Sequence, residues 1–212
     1  MATALSTAAA PTERRPFLYA IEHMEPEVSP WSLGEYHHII EQIGEKRLIL
    51  SHIAPAVVPE PLRSQCYEVA DVPISEHPSF PKSRVLLLDP KATQPLEPSD
   101  GADFDVLLFG GILGDDPPRD RTAELRDQGF ATRHLGPVQM TTDTAILVSD
   151  RVLSGQQRLD DIPYVDNPDI VFNAHESVNM PFRYIRNPDG TPLMSKTVHH
   201  LIHKSLEEEF DV

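Results

Sequence analysis

Apolar side chains in this sequence gather in four short runs with few polar interruptions. The runs occupy residues 17–23, 47–53, 84–89 and 105–111, and they read FLYAIEH, RLILSHI, RVLLLD and DVLLFGG. Near-continuous apolar runs of this length are typical of strands that are buried on both faces of a sheet. The pattern therefore predicts four strands in the interior of the protein.

The segment between the first two runs has the spacing of a helix. Its apolar residues recur at intervals of three and four over residues 30–43. Ser29 is suited to cap the first turn, Pro30 is compatible with that turn, and Gly44 follows the last apolar position. These signals predict a helix that connects the first strand to the second.

Further helices and a strand follow in the second half of the chain. The pattern predicts helices at about residues 119–128 and 142–153, with a strand at residues 130–135 between them. Strands that alternate with helices are typical of α/β proteins. We therefore predict an α/β fold with a mainly parallel sheet and helices on both faces.

Length and composition are those of one domain. The 212 residues, 40% of them hydrophobic, suffice for one sizeable core, and we assign residues 17–212 to a single domain. Residues 1–16 are interpreted as a disordered extension, with a mitochondrial transit segment as the alternative. The lone Cys66 and the lack of a long apolar run favour a soluble, cytoplasmic protein.

The charge balance is strongly acidic. Acidic side chains outnumber basic ones by 33 to 18, which gives a formal net charge of -15. A field of this sign repels phosphate backbones and attracts cationic partners, so it argues against nucleic acid as the main substrate. The alternative is that the charge only keeps the protein in solution.

Three predicted strand ends are candidate ligand-binding segments, at residues 86–93, 107–115 and 134–145. In open α/β sheets, ligand clefts form outside the carboxyl ends of the strands. Glycines at these ends would let the backbone approach a flat polar ligand such as an adenosine, although a tight turn after a buried strand uses glycine as well. The P-loop and G-x-G-x-x-G patterns do not occur. The glycines concerned are Gly110, Gly111, Gly114 and Gly136.

A set of longer motifs occurs in an order that resembles one known family. The motifs include FGGILGDDPPRDRTAEL at residues 109–125, LGPVQMTTDTA at residues 135–145 and FNAHESVNMPFRY at residues 172–184. With them, the sequence resembles the fungal arginine methyltransferases of the SPOUT class, which modify an arginine of a small-subunit ribosomal protein. The resemblance runs from Phe17 to the C terminus and is poor at residues 54–82.

The resemblance implies a C-terminal trefoil knot, the α/β knot of SPOUT proteins, in which the chain threads through one of its own loops. It also implies S-adenosylmethionine as the cofactor, held by three knot loops that correspond to the three strand ends. The residues that it assigns to the cofactor are Leu88, Asp89, Pro90, Gly110, Gly111, Gly114, Leu135, Gly136, Met140, Thr141, Thr142 and Thr144.

Methyl transfer to an arginine calls for carboxylates beside the methyl donor. A guanidinium is protonated at any working pH, with a pKa above about 12, and carboxylates can hold it and accept its proton. For each aspartate of the glycine segment, helix capping or ion pairing is the alternative. The residues assigned to catalysis are Asp115, Asp116, Asp120, Glu22 and Glu25.

Two residues are assigned to the substrate, which the resemblance implies to be a basic protein. Trp31 offers an aromatic face to a planar cation, and Arg119 could orient a carboxylate unless it only belongs to the exposed start of a helix. Asp143 is interpreted as a charge at the start of a helix rather than as a base. The resemblance further implies that the protein can act as a monomer.

No metal site is predicted. His199 and His203 have the i, i+4 spacing of metal ligands but lack a glutamate between them, which favours a surface helix. Two other functions stay open. One is an RNA methyltransferase of the same class, although the sequence has no long run of Lys and Arg. The other is a ligand-binding module without turnover.

Overall fold

The computed structural model describes residues 16–23, 25, 27–111, 120, 122–173 and 176–210, with the backbone alone at residues 207–210. Residues 1–15 of the predicted extension lie outside these ranges. Within them, no helix combines the length and the apolar character that are needed to cross a membrane.

A six-stranded sheet, parallel throughout, forms the centre of the protein. Its strands are β1 (Leu18–His23), β2 (Leu48–Ser51), β3 (Glu68–Val69), β4 (Val85–Leu88), β5 (Val106–Gly111) and β6 (Ala131–Arg133), in the spatial order β3-β2-β1-β5-β4-β6. The chain thus builds one half of the sheet outward from β1, crosses to β4, and inserts β5 between the halves. Parallel strands place their carboxyl ends at one edge, and such a change of direction leaves a crevice there.

Five α-helices, five short 3-10 helices and two small antiparallel strand pairs complete the regular structure of the described residues. The α-helices are α1 (Pro30–Ile43), α2 (Leu62–Gln65), α3 (Ala123–Asp127), α4 (Thr142–Leu153) and α5 (Lys196–Phe210). One antiparallel pair joins β7 (Tyr164–Asp166) to β10 (Arg183–Ile185), and between them in sequence lies the hairpin of β8 (Asp169–Val171) with β9 (Ser177–Asn179).

Both faces of the sheet are covered, as predicted. Alternate strand residues point to opposite faces, so Tyr19 and Ile21 join the core beneath α1 and α4, whereas Ala20 joins the core beneath α3. On that second face, Leu125 of α3 and Phe130 pack against the sheet. The four inner strands β1, β2, β4 and β5 are almost entirely buried on both sides, which explains why their sequences are continuous apolar runs.

The predicted strands and the first helix are confirmed, with shorter bounds for several strands. Helix α1 begins where the cap signals indicate: the backbone N–H of Ser32 donates to Ser29 Oγ at 3.1 Å, and Gly44 ends the helix at φ +93°. The helix predicted at about residues 119–128 is shorter: α3 begins after Thr122, which is in a turn, while residues 112–119 and 121 lie outside the described ranges. The two small antiparallel strand pairs were not predicted, since strands of three residues carry too few positions for a pattern.

Candidate functional site

A cavity of about 400 Å³ lies at the carboxyl ends of β4, β5 and β6 and is closed on one side by the start of α4. This volume is within the range of small-molecule sites. Most of the residues predicted to hold the cofactor line it, together with Lys91, Phe109, Asp120, Thr122, His134, Val138 and others. The predicted residues among its lining are Leu88, Asp89, Pro90, Gly110, Leu135, Gly136, Met140 and Thr142.

The loop between β6 and α4 forms one wall of this cavity, and its shape depends on one glycine. Gly136 has φ +105°, a conformation that side chains with a Cβ rarely adopt. Its backbone N–H donates to His134 Nδ1 at 3.0 Å, while the carbonyl of Gln139 accepts from the backbone N–H of Arg183 at 2.7 Å. These bonds hold the loop against β10, so that Leu135 and Met140 present apolar surface to the cavity.

The remaining predicted cofactor residues do not line this cavity. Gly114 lies outside the described residues. Thr141 and Thr144 are buried at the start of α4, where Asp143 Oδ1 accepts from the Thr141 hydroxyl and from the backbone N–H of Thr144. Gly111 ends β5, next to the cavity, and pairs in register with His23 of β1. Asp143 therefore has the helix-start role that the sequence favoured.

The floor of the cavity holds an ion cluster. Asp89, at the end of β4, is 1% exposed and accepts hydrogen bonds from Arg126 Nε at 2.5 Å and Nη2 at 2.7 Å, and from the backbone N–H of Lys91 at 3.0 Å. Burial alone raises the pKa of the Asp89 carboxyl, but the bonds from Arg126 and Lys91 outweigh it and lower the pKa below its usual value. Asp89 is thus held as a carboxylate.

Asp120 belongs to the same cluster. Its carboxylate accepts from Arg126 Nη2 at 3.0 Å and from Lys91 Nζ at 2.5 Å. Hydrogen bonds from Arg126 and then Lys91 lower the pKa of Asp120 strongly. A carboxylate with two cationic partners is a weak proton acceptor, so the ion-pairing alternative describes Asp120 better than a role as the base.

The other predicted catalytic acids fall in different places. Asp115, Asp116 and Arg119 lie outside the described residues. Glu22 is buried and accepts hydrogen bonds from the Ser51 hydroxyl at 2.7 Å and the Ile74 backbone N–H at 3.1 Å, and it lines neither of the cavities described here. These contacts connect β1 to β2 and to the segment that follows β3. Glu22 therefore connects these segments of the fold and does not contact the large cavity.

A second, smaller cavity adjoins the first. It measures about 10 Å³ and is lined by residues of β1, α1, β5 and α4, with Glu25 from the segment that follows β1. Thr142 lines both cavities, and the successive residues Gly110 and Gly111 of β5 line the larger and the smaller one respectively. The full lining is Ile21, His23, Glu25, Ser32, Glu35, Tyr36, Gly111 and Thr142.

Glu35 is the residue in this cavity that the sequence analysis missed. It is 2% exposed, and its Oε1 accepts a hydrogen bond from Trp31 Nε1 at 2.9 Å. Its Oε2 is buried and accepts no hydrogen bond from the part of the chain that the structure describes. A signal was present, because Trp31, Glu35 and His38 follow one another at helical spacing and thus put a carboxylate on the inner face of α1.

Burial raises the pKa of the Glu35 carboxyl well above its usual value, and the nearby charge of Asp143 adds to this increase. The hydrogen bond from Trp31 and the backbone N–H of Asp143, which lies near the carboxyl group, lower the pKa in part. Asp143 itself is paired with His38, whose Nδ1 lies 2.8 Å from Asp143 Oδ2 across the contact between α1 and α4. Burial lowers the pKa of His23 at the other end of the cavity. The small cavity therefore combines an unsatisfied carboxyl oxygen with surroundings that favour a cation.

We expect Glu35→Gln to stabilise the protein at neutral and alkaline pH. A carboxyl whose pKa is raised on folding loses stability as the pH rises above its unfolded value, near 4.5, and through its folded value. The variant has no such loss, so its free energy of unfolding should exceed that of the wild type by about 1 kcal/mol at pH 8. Urea unfolding at pH 8 and pH 4.5 measures this, and an equal difference at both values would contradict the raised pKa.

Comparison with known proteins gives one consistent group of relatives. The family described as protein arginine N-methyltransferase SFM1-like matches residues 18–209. Protein arginine N-methyltransferase SFM1 of Saccharomyces cerevisiae is 35% identical over 207 residues, which cover 91% of this chain and 97% of the yeast protein.

Solved structures show the same likeness. The crystal structure of the yeast arginine methyltransferase SFM1 complexed with SAM has a TM-score of 0.84 and 35% identity, and the match covers 92% of this chain and 93% of that one. The complex with SAH has a TM-score of 0.81 and 37% identity, covering 87% and 94%. These matches confirm the family that the sequence resembles and the mainly parallel α/β fold.

Proposed function

Because the chain belongs to the SFM1-like family of protein arginine N-methyltransferases, we propose that it transfers a methyl group from S-adenosylmethionine to an arginine side chain of a protein. The observation that carries this proposal is the pair of adjoining cavities, of about 400 and 10 Å³, that share Thr142. The larger has the size and lining of a cofactor site, and the smaller has carboxylates for a cationic acceptor.

The residues of the larger cavity fit the proposed cofactor, which supplies a methyl group on a positively charged sulfur. Gly110 has no side chain, so its backbone can approach a bound adenosine. Leu88, Leu135 and Met140 offer apolar surface for a purine ring. The ion cluster keeps Asp89 ionised at the end of β4, where its charge is paired with that of Arg126.

We further propose that the substrate is a basic protein of the small ribosomal subunit, and that the enzyme acts as a monomer in the cytoplasm. The net charge of -15 supports a basic substrate, because complementary charge increases the rate of encounter. The same charge opposes an RNA substrate, which is the alternative within this fold class. A binding module without turnover has no observation in its favour.

A transfer assay tests the proposed function. The protein is incubated with tritiated S-adenosylmethionine and, in parallel, with extracted small-subunit ribosomal proteins or with purified ribosomal RNA, both from cells that lack this protein. We expect label in protein alone, and mass spectrometry should place it on arginine. Label in RNA alone would support the alternative, and tight cofactor binding without label in either would indicate a binding module.

A further inference from the structure

Glu35 Oε2 is a buried hydrogen-bond acceptor without a partner among the described residues. A buried acceptor without a hydrogen bond costs about 1–3 kcal/mol, so native proteins seldom keep one without a reason. Here the carboxyl group is 2% exposed, and one of its oxygens is already held by Trp31. The other has no hydrogen-bond partner among the described residues, and Glu35 lines a space of about 10 Å³, about the room that one water molecule or a single nitrogen atom of a ligand needs.

The position of this space relative to the cofactor site is equally specific. Gly110 lines the larger cavity and Gly111 the smaller, and both pair in register with the last two residues of β1. Thr142 at the start of α4 borders both. The space beside Glu35 therefore adjoins the larger cavity at Thr142 and at the end of β5.

The groups around Glu35 favour a positive charge at this point. Asp143 of α4 interacts electrostatically with it, and His38 Nδ1 lies beside Asp143 Oδ2 in the pair described above. Glu25 lines the same space, and Tyr184 of β10 is close enough for both Glu35 and Asp143 to raise its pKa, after burial. His23, also in the lining, has a pKa that burial lowers, which keeps it neutral.

We propose that Glu35 is the catalytic residue that binds the arginine of the substrate, its free oxygen accepting first a hydrogen bond and then a proton from a terminal nitrogen of the guanidinium. The inference deepens the proposed function and rests on it. Trp31 acts as a positioning residue, because its indole N–H orients the carboxyl group through the second oxygen. Two of the other acids are less suited, since Glu22 accepts two hydrogen bonds at Oε2 and lines neither cavity, and Asp120 is bound by two cations.

The proposed step is balanced in atoms and charge. The Glu35 carboxylate takes one proton from the guanidinium, which leaves a neutral guanidine with a nucleophilic nitrogen. That nitrogen bonds to the methyl carbon while the bond from carbon to sulfur breaks and its electron pair stays on sulfur. The products are a methylguanidinium cation, a neutral thioether and a neutral Glu35, which then returns its proton to solvent. Glu35, the arginine and the sulfonium carry their ordinary charges at about pH 7 before the step. Their sum is +1, and the sum for the three products is +1 as well.

The first test uses Trp31, the single tryptophan of the chain, as a reporter. Its indole N–H resonance should titrate with Glu35 in the wild-type protein loaded with S-adenosylhomocysteine, and this titration should be absent in Glu35→Gln. Adding acetyl-arginine-amide should move the midpoint to lower pH by about one unit, because a cation favours the ionised carboxyl. The uncharged acetyl-citrulline-amide is the matched control and should not move it.

The second test measures turnover on extracted small-subunit ribosomal proteins. Glu35→Gln should lower kcat/KM at least about 100-fold, the usual size of a general-base contribution, with the dissociation constant of S-adenosylmethionine within about twofold of wild type. The rise of kcat/KM with pH should disappear as well. Asp100→Asn is the matched control, since Asp100 is 6% exposed, pairs with Arg133 and lines neither cavity. It should lose stability but keep kcat/KM per cofactor-binding molecule.

Two results would overturn the proposal: methylation by Glu35→Gln within about threefold of wild type, a margin smaller than any general-base effect, or a Trp31 titration that both amides shift equally. If the proposed function is wrong, the two tests give a different combination of results. In that case the wild type labels no protein, yet the arginine-specific shift of the Trp31 resonance persists and the arginine site stands.

Discussion

Asp89→Asn is expected to lower the free energy of unfolding by about 3 kcal/mol, because it leaves Arg126 without its main partner in a partly buried pair. Asp89 is 1% exposed and accepts two hydrogen bonds from the Arg126 guanidinium, at 2.5 and 2.7 Å. An amide at this position cannot accept both, and its N–H groups would face the guanidinium. The cofactor cavity should suffer too, since Asp89 lines it.

The chain contains a matched control for this variant. Arg84 and Asp105 form a pair with nearly the same geometry, at 2.8 and 2.7 Å, but their side chains are 40% and 63% exposed. Exposed pairs contribute about 0–1 kcal/mol, so Asp105→Asn should have a small effect. Comparing the two variants therefore separates the effect of burial from that of the ion-pair geometry.

Denaturant unfolding across pH measures both changes. The pKa of Asp89 is lowered on folding, so its contribution is present above the unfolded value of about 3.8 and is lost as the pH falls through the folded value. The difference between wild type and Asp89→Asn should accordingly be largest near neutral pH and shrink in acid. Equal losses for the two asparagine variants would contradict the role assigned to the buried pair.

Gly111→Ala is expected to lower the affinity for S-adenosylmethionine at least about tenfold and to destabilise the fold by about 1–3 kcal/mol. A Cβ at this position would lie 2.5 Å from the carbonyl oxygen of Glu22 and 3.2 Å from Cα of His23. Both contacts are with backbone, so β1 and β5 must separate at their carboxyl ends. That movement also displaces Gly110, which lines the cofactor cavity.

Gly190→Ala controls for the general cost of replacing a glycine. Gly190 has φ +91° and no atom within 4 Å of a Cβ, so its replacement introduces backbone strain without a clash. It should destabilise the protein by about 1 kcal/mol and leave cofactor affinity unchanged. Calorimetric titration measures the affinity of both variants for S-adenosylmethionine. Wild-type affinity in Gly111→Ala would show that the strand ends do not shape the cavity.

The sequence patterns identified the main secondary structure well. Apolar runs at β1, β2, β4 and β5 and the capped spacing of α1 are local signals, and local signals survive in the fold when both faces of a sheet are buried. Short elements were not predicted, among them β3 and the hairpin of β8 with β9. The ends of β4 and β5 and the loop after β6 could be named as the ligand edge because parallel strands share one direction.

The acidic residues show where such reasoning stops. The sequence singled out Glu22 and Asp120 by their closeness to strand ends. The structure gives Glu22 two hydrogen bonds at Oε2 and gives Asp120 two cationic partners. The sequence analysis did not select Glu35, because the amphipathic pattern of α1 does not show that one of its carboxylates points inward. The position of a residue relative to a strand end indicates where its backbone lies. Its hydrogen-bond partners depend on which other segments pack beside it in the folded protein.

By itself, then, the sequence determined the α/β alternation, the parallel sheet, the edge at which a ligand can bind and, through its motifs, the family. Only the tertiary structure decided which carboxyl oxygen is left without a partner and next to which cavity. The physical reason is that the burial of Glu35 arises from α1 packing on α4, a contact that joins residues as far apart as His38 and Asp143, whereas periodicity is a property of neighbours along the chain.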